Sequence, residues 1–141
     1  MNVDEYMKLD SQLCFPLYAA SRKIVGTYTP YLKPLGITYT QYIMFLVLWE
    51  QGKTTVGELC SRLHLDTGTV TPMLKKTEQQ GLITRTRSSE DERVVLIELT
   101  SRGRDLYGKA RDIPAKISGC ISLNKDEALA LYKTLYKILE A

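Results

Sequence analysis

Histidine is almost missing from this chain. Of 141 residues only His64 is one, and with no clustered ligands beside it a metal centre is not expected. Cysteine is scarce too: Cys14, Cys60 and Cys120 are an odd number with no Cys-x-x-Cys pair, which argues against both a secreted disulfide framework and a zinc knuckle. Whatever these sulfurs do, they do as thiols. Long hydrophobic runs are lacking, since the apolar stretch 42–49 falls far short of the roughly 20 residues of a membrane span. Asp4 and Glu5 stand where a signal peptide would carry positive charge. A cytoplasmic protein without membrane contact is therefore expected, with no cofactor. Internal repeats, low-complexity segments and linkers are absent, so 141 residues that are 44% hydrophobic and 25% charged read as one domain with a genuine core. The net charge is only +3, and between Asp66 and Arg93 five Lys/Arg are matched by five Asp/Glu. Bulk basicity therefore does not establish nucleic-acid binding, and individual placements must.

What is present is a dense run of structural signals over residues 65–99. Asp66 can cap a helix in which Val70, Met73 and Leu74 fall at i, i+3, i+4 spacing, and Gly81 supplies its stop. Two β-rich runs follow, 82–87 and 94–99, joined by the polar turn Ser88-Ser89-Glu90-Asp91-Glu92-Arg93. Upstream, Gly52 ends a helix, and Thr55 with Glu58 forms a capping box opening a short helix through Leu63. His64 then falls in the turn. Short helix, turn, second helix and hairpin is the order of a winged helix-turn-helix, whose second helix enters the major groove while the wing lies along the backbone. The fold class expected is mainly α with a small β-hairpin wing.

The flanks read as scaffold. Asp10 or Ser11 can cap a first helix to about Tyr28, with Leu13, Leu17 and Ile24 on an apolar side. Pro16 requires that helix to begin near Cys14 or to kink there, because proline is tolerated only at a helix start. Either way Cys14 lies near a helix N-terminus. Pro30 fits the first position of a short second helix, limited by Pro34 and Gly36. Thr38 with Gln41 is another capping box, and Ile43, Phe45, Leu46, Val47, Leu48 and Trp49 cover nearly every face of the helix it opens. Thr100 caps a long helix that Pro114 should bend, and Asn124 with Glu127 opens the last one. Ala128, Leu129, Leu131, Tyr132, Leu135, Tyr136, Ile138 and Leu139 give this last helix a wider apolar arc than one packing face requires. A second subunit is the expected cover, making the protein a homodimer with dimerisation helices at 1–36 and 101–141 around a DNA-binding lobe at 38–99.

Candidate DNA contacts follow from helix geometry. The first two turns after Asp66 present Thr67, Gly68, Thr69 and Thr71, with Lys75 and Lys76 further along. Hydroxyls bond base edges or phosphates, threonine methyls meet thymine, glycine admits close backbone approach, and lysines anchor phosphates. Arg85 and Arg87 share a strand face, and Arg93 sits at the wing turn, where minor-groove insertion is possible. Each residue alone is as readily an ordinary surface residue. Together, element order, caps and basic wing agree.

The stretch LDTGTVTPMLKKTEQQGLITR followed by SSEDER resembles the MarR family of dimeric winged-helix regulators. LDSQLCFPLYAASR and LGITYTQYIMFLVLWE resemble its organic hydroperoxide resistance regulators, and the resemblance runs from about Leu9 to Leu139. It implies that Cys14, in the Leu-Cys-Phe motif, is a peroxide sensor, hydrogen-bonded across the dimer by Tyr28 and Tyr39 with Tyr18 close by. It also implies that Asp91 and Arg93 are wing residues, the arginine entering the minor groove. Pro16 departs from the family's sensor-helix pattern. The family has one-cysteine and two-cysteine sensors, and Cys120 lies near the region of the resolving cysteine. The alternative for Cys120 is a small apolar residue in the dimer helices, as Cys60 is expected to be in the core.

Residue chemistry points the same way: peroxide is attacked by thiolate, which a helix N-terminus favours, and the resulting sulfenic acid forms reversible disulfides. The expected function is a repressor, not an enzyme. Its reduced dimer would hold double-stranded DNA at a pseudo-palindromic operator with half-sites ~34 Å apart and release it when organic hydroperoxide oxidises Cys14. Two alternatives stand beside it. One is release by a non-covalent aromatic ligand; the other is a thiol peroxidase, which would have no need of a recognition helix and wing.

Overall fold

The computed structural model describes residues 2–141. A short helix α1 (Val3–Tyr6) and a 3-10 turn (Leu9–Ser11) lead into α2 (Cys14–Leu32). Pro16 is the third residue of α2, where backbone amides have no intrahelical acceptor, so its missing N–H removes no bond. Two sequence expectations fail here. The helix does not stop near Tyr28, and Pro30 does not open a new one: it sits in the last turns of α2. The lost bond would have gone to the carbonyl of Gly26, and both residues are exposed, so water can replace it. The short second helix is the 3-10 turn Lys33–Leu35, ended by Gly36 in the left-handed region at φ 72°.

α3 (Tyr39–Gln51) is the central helix. Thr38 and Gln41 form both bonds of the expected capping box, and Met44, Phe45 and Leu48 are fully buried. Burying each contributes about 1.5–3 kcal/mol. Leu46 is the exception to the all-round burial expected, lying on the one outward line of the helix. After Gly52 comes a strand the sequence did not announce, β1 (Lys53–Thr55), three polar residues too short for any alternation. α4 (Val56–Leu63) starts at Thr55, whose side chain accepts the Glu58 N–H. Glu58 does not return the bond; its carboxylate accepts from Thr54 Oγ1 at 3.0 Å instead. His64 turns the chain at φ 53°, and Asp66 caps α5 (Thr67–Gln79).

Gly81, at φ 77°, ends that segment and delivers the chain to β2 (Ile83–Arg87) and β3 (Val95–Leu99). The sheet has the order β1-β3-β2, antiparallel throughout, so the wing hairpin is rooted on β1 rather than free. Thr100 caps α6 (Ser101–Ala110) as expected, but Pro114 does not bend a long helix. Having no N–H for the carbonyl of Ala110, it ends α6 there and stands as the second residue of a separate helix, α7 (Ile113–Ser118). α8 (Lys125–Leu139) opens with a complete Asn124–Glu127 box and buries none of its residues.

The junction of α6 with the sheet is tight. Thr100 Oγ1 donates to Gly81 O at 2.7 Å, Trp49 Nε1 donates to Gly103 O at 3.0 Å, and a Cβ on Gly103 would lie 2.1 Å from the Leu82 carbonyl oxygen. Gly103→Ala must push α6 off the sheet. It is expected to lower stability by about 1–3 kcal/mol, visible as a fall of several degrees in Tm by circular dichroism.

Candidate DNA interface and thiol site

α5 presents Thr67, Gly68 and Thr69 to solvent at its N-terminus, while Val70, Leu74 and Thr77 anchor its other side in the core. The Asp66 carboxylate accepts the Thr69 N–H at 2.7 Å, and hydrogen bonding from the Thr69 side chain and then its amide holds its pKa below the usual carboxylate value. Thr71 is half-buried. With Gly57, Thr67, Arg85 and Arg93 it lines a cleft of about 440 Å³ between α4, α5 and the wing. Lys75 is exposed. Lys76 lies on the opposite flank, lining a second cleft of about 370 Å³ with Val25, Lys33, Thr38 and Tyr39.

The three arginines of the wing divide by task. Arg85 shares the strand face of buried Ile83, and so turns inward. Its Nη2 and Nε donate to Glu78 Oε1 at 3.0 and 3.3 Å, and its backbone N–H to Glu78 Oε2 at 3.2 Å. The pairing holds Glu78 ionised below the usual range and fastens wing to recognition helix. Glu78 was not singled out in the sequence. The signal was available in the shared parity of Ile83 and Arg85, which aims the arginine at α5. Arg87 donates to the Glu92 carbonyl at 2.8 Å. Arg93, with a side chain 90% exposed, is held by Asp91: Nε and Nη2 donate to the carboxylate at 3.2 and 3.3 Å, and the backbone N–H at 3.0 Å. Asp91 thus splints the arginine at the wing tip.

Cys14 is exposed on the first residue of α2, and the preceding Leu13 offers no side-chain cap to the first-turn amides. Tyr18 lies one turn on, with Arg22 stacked over its ring at 5.6 Å. At the far end of α2, Tyr28 packs against Tyr39 of α3 with ring centroids 4.9 Å apart, and Tyr42 completes the cluster at 5.5 and 6.1 Å. The structure therefore brings Tyr28 and Tyr39 together. It does not bring Cys14 to them within one protomer: fourteen residues of helix separate Cys14 from Tyr28, roughly 21 Å at 1.5 Å per residue. All three thiols are free; Cys120 is exposed, its Sγ donating to Lys116 O at 3.3 Å. Cys60 is half-buried against the core, 4.0 Å from Thr67 Oγ1.

Burial raises the pKa of Tyr28, Tyr39 and Tyr42, with the neighbouring phenols adding to the effect at Tyr28 and Tyr42. All three hydroxyls stay protonated donors across the physiological range. Their raised values contribute stability that is complete below the ordinary value of 10.0 and is lost as pH rises through the folded-state values. Ultraviolet titration should show these phenols ionising above the ordinary value of 10.0, together with alkaline unfolding. Tyr39→Phe should advance the remaining transition, because its phenol adds to the rise at both Tyr28 and Tyr42.

A family model described as transcriptional regulator SarA/Rot matches residues 27–109. The organic hydroperoxide resistance transcriptional regulator of Bacillus subtilis (strain 168) is 51% identical over 139 residues, covering 99% of this chain and 95% of that one. Among solved structures, reduced AbfR of Staphylococcus epidermidis bound to DNA is 37% identical, with TM-score 0.80 over 97% of this chain and 96% of that one. The chain belongs to the MarR family of winged-helix transcriptional regulators. Within it, the chain falls in the branch of the organic hydroperoxide resistance regulators. As a MarR-family regulator it binds DNA. A disulfide-containing AbfR is 36% identical and covers 96% of each chain, but its TM-score is 0.67, so this conformation is closer to the reduced, DNA-bound one. Among the described residues, no helix is long and apolar enough to cross a membrane.

Proposed function

We propose that this MarR-family regulator is a dimeric repressor that holds a pseudo-palindromic operator while Cys14 is reduced and releases it when an organic hydroperoxide oxidises Cys14. The observation that carries the reading is the position of Cys14, exposed and uncapped at the start of a 19-residue helix. Its proposed hydroxyl partners, Tyr28 and Tyr39, are out of reach within one protomer and can be met only on a second. The exposed apolar face of α8, with Leu129, Tyr132, Tyr136 and Leu139, supports that second copy. So does the exposed apolar start of the chain, with Leu13, Phe15 and Leu17.

The chemistry balances without a cofactor. The Cys14 thiolate attacks one peroxide oxygen and the O–O bond breaks; the alkoxide takes a proton and leaves as the alcohol, and the sulfur becomes a sulfenic acid. A second thiol, Cys120 of the other protomer or a small cellular thiol, then forms a disulfide with loss of water. Reduction reverses it. An overoxidised AbfR also occurs on DNA, with TM-score 0.78, while the disulfide form is the outlier, which favours the disulfide as the step that repacks the helices. Thr67, Gly68, Thr69, Thr71 and Lys75 would read the major groove, and Arg93, splinted by Asp91, the minor groove.

The test is fluorescence anisotropy on DNA flanking the protein's own gene, with reduced protein, then organic hydroperoxide, then excess dithiothreitol. Binding lost on oxidation by about 5–150-fold and regained on reduction is expected. The cleft bearing Lys33, Lys76, Val25 and Tyr39 suits a small aromatic anion and supports a second reading, ligand-driven release. That reading predicts release that dithiothreitol does not reverse and peroxide does not cause.

A further inference from the structure

Between α3 and the recognition helix lies a closed polar network in an otherwise apolar interface. Gln41, 1% exposed, uses both donors of its amide: Nε2 donates to Thr77 Oγ1 and to Gln80 Oε1, each at 2.8 Å. Its Oε1 accepts from the Thr38 N–H at 2.9 Å. Thr77, fully buried, passes its own proton to Met73 O at 2.7 Å, and Gln80 Nε2 donates to Gly36 O at 2.8 Å. No buried side-chain N or O atom among the described residues lacks a partner. Apolar contacts such as those of Val70 and Leu74 let one helix slide on another, whereas hydrogen bonds of fixed direction define one register. Among the described residues, the side-chain bonds from α3 to the α5–Gln80 segment are those of Gln41.

The other end of this network is the tyrosine corner. Tyr39 is the first residue of α3, directly after Thr38, whose amide and hydroxyl both bond to Gln41. Gly36, bonded by Gln80, closes the turn after α2, the helix that carries Tyr28. We propose that the Gln41–Thr77–Gln80–Gly36 network is the strut through which a shift of the Tyr28/Tyr39 corner reaches the recognition helix, with Gln41 and Thr77 as positioning residues. A displaced Tyr39 tilts the first turn of α3, and Gln41 turns that tilt into a rotation of α5. This deepens the redox reading and rests on it for what moves the corner.

The test is a double-mutant cycle on operator affinity with Tyr39→Ala and Thr77→Val, singly and together, in the reduced full-length protein. Thr77→Val keeps shape and removes the hydroxyl. Tyr39→Ala is expected to weaken operator binding by about tenfold in the native background and by less than about threefold beside Thr77→Val. Thr77→Ser should restore native behaviour. A purely structural role would lower Tm and leave the two effects multiplying independently. That result, or an operator affinity indifferent to Tyr39→Ala, overturns the strut. If Thr77→Val does not fold, Gln80→Leu, at a half-buried position, takes its place. Hydroperoxide treatment of the native protein runs in parallel: if it leaves DNA binding unchanged, the redox reading falls, and the cycle still decides the strut.

Discussion

Cys14→Ser is expected to leave operator affinity within about twofold of native, because a hydroxyl replaces the thiol at nearly the same size and keeps its capacity to donate and accept hydrogen bonds. Release by organic hydroperoxide should vanish altogether. The hydroxyl occupies nearly the same space and suits the first turn of a helix, but it is not ionised near neutrality and does not attack a peroxide. Within the protomer Cys14 contributes nothing to the buried core, so the substitution opens no cavity there. Anisotropy with and without hydroperoxide checks both halves. A full peroxide response in Cys14→Ser would move sensing to Cys60 or Cys120 and overturn the proposed mechanism. The companion variant Cys120→Ser separates the two fates of the sulfenic acid: loss of reversible release points to a bond between protomers, retention to a small thiol.

Leu129→Glu combined with Tyr132→Glu is expected to split the dimer and to lower operator affinity by about 10²–10⁴-fold, because each protomer then binds its half-site without the high effective concentration of its tethered twin. Leu129 and Tyr132 are 51% and 59% exposed in the protomer. Charge at these positions costs the isolated chain little, so the effect falls on association. Two buried glutamates in a facing pair of helices would be unpaired like charges, among the most disruptive changes an apolar seam can suffer. Sedimentation velocity gives the oligomeric state and anisotropy the affinity. An intact dimer with native affinity would place the seam elsewhere.

Local signals were the readable part of this chain. The caps at Thr38, Asp66, Thr100 and Asn124 each fall where the sequence puts them, because an N-cap is decided by a residue and its partner three positions on. The prolines misled for a related reason. Pro30 marks a helix start or a helix end equally well, and which one holds depends on whether Gly26 faces water, a tertiary fact. β1 left no trace because three polar residues have no period; it exists through its pairing with β3. The tyrosine cluster joins residues of two helices, and only the resemblance to known regulators linked Tyr28 with Tyr39 in advance. Arg85 was expected among the DNA contacts because it shares a strand face with Arg87, and the same parity with Ile83 also pairs it with Glu78. The Gln41 network was invisible because its members lie 36 and 39 residues apart in sequence.

β2 is the outer strand of its sheet, paired to β3 on one side only. An outer strand displays backbone donors and acceptors that can recruit a strand from another chain, the first step of aggregation. Here the row is interrupted. The Glu78 carboxylate occupies the Arg85 N–H at 3.2 Å, the strand is only five residues long, and Arg87 leaves an exposed cation at its end. A second copy laid against this edge would meet a filled donor at Arg85 and the guanidinium group of Arg87. The residues that fasten the wing to the reading helix thus also guard this edge against pairing with a strand of another chain.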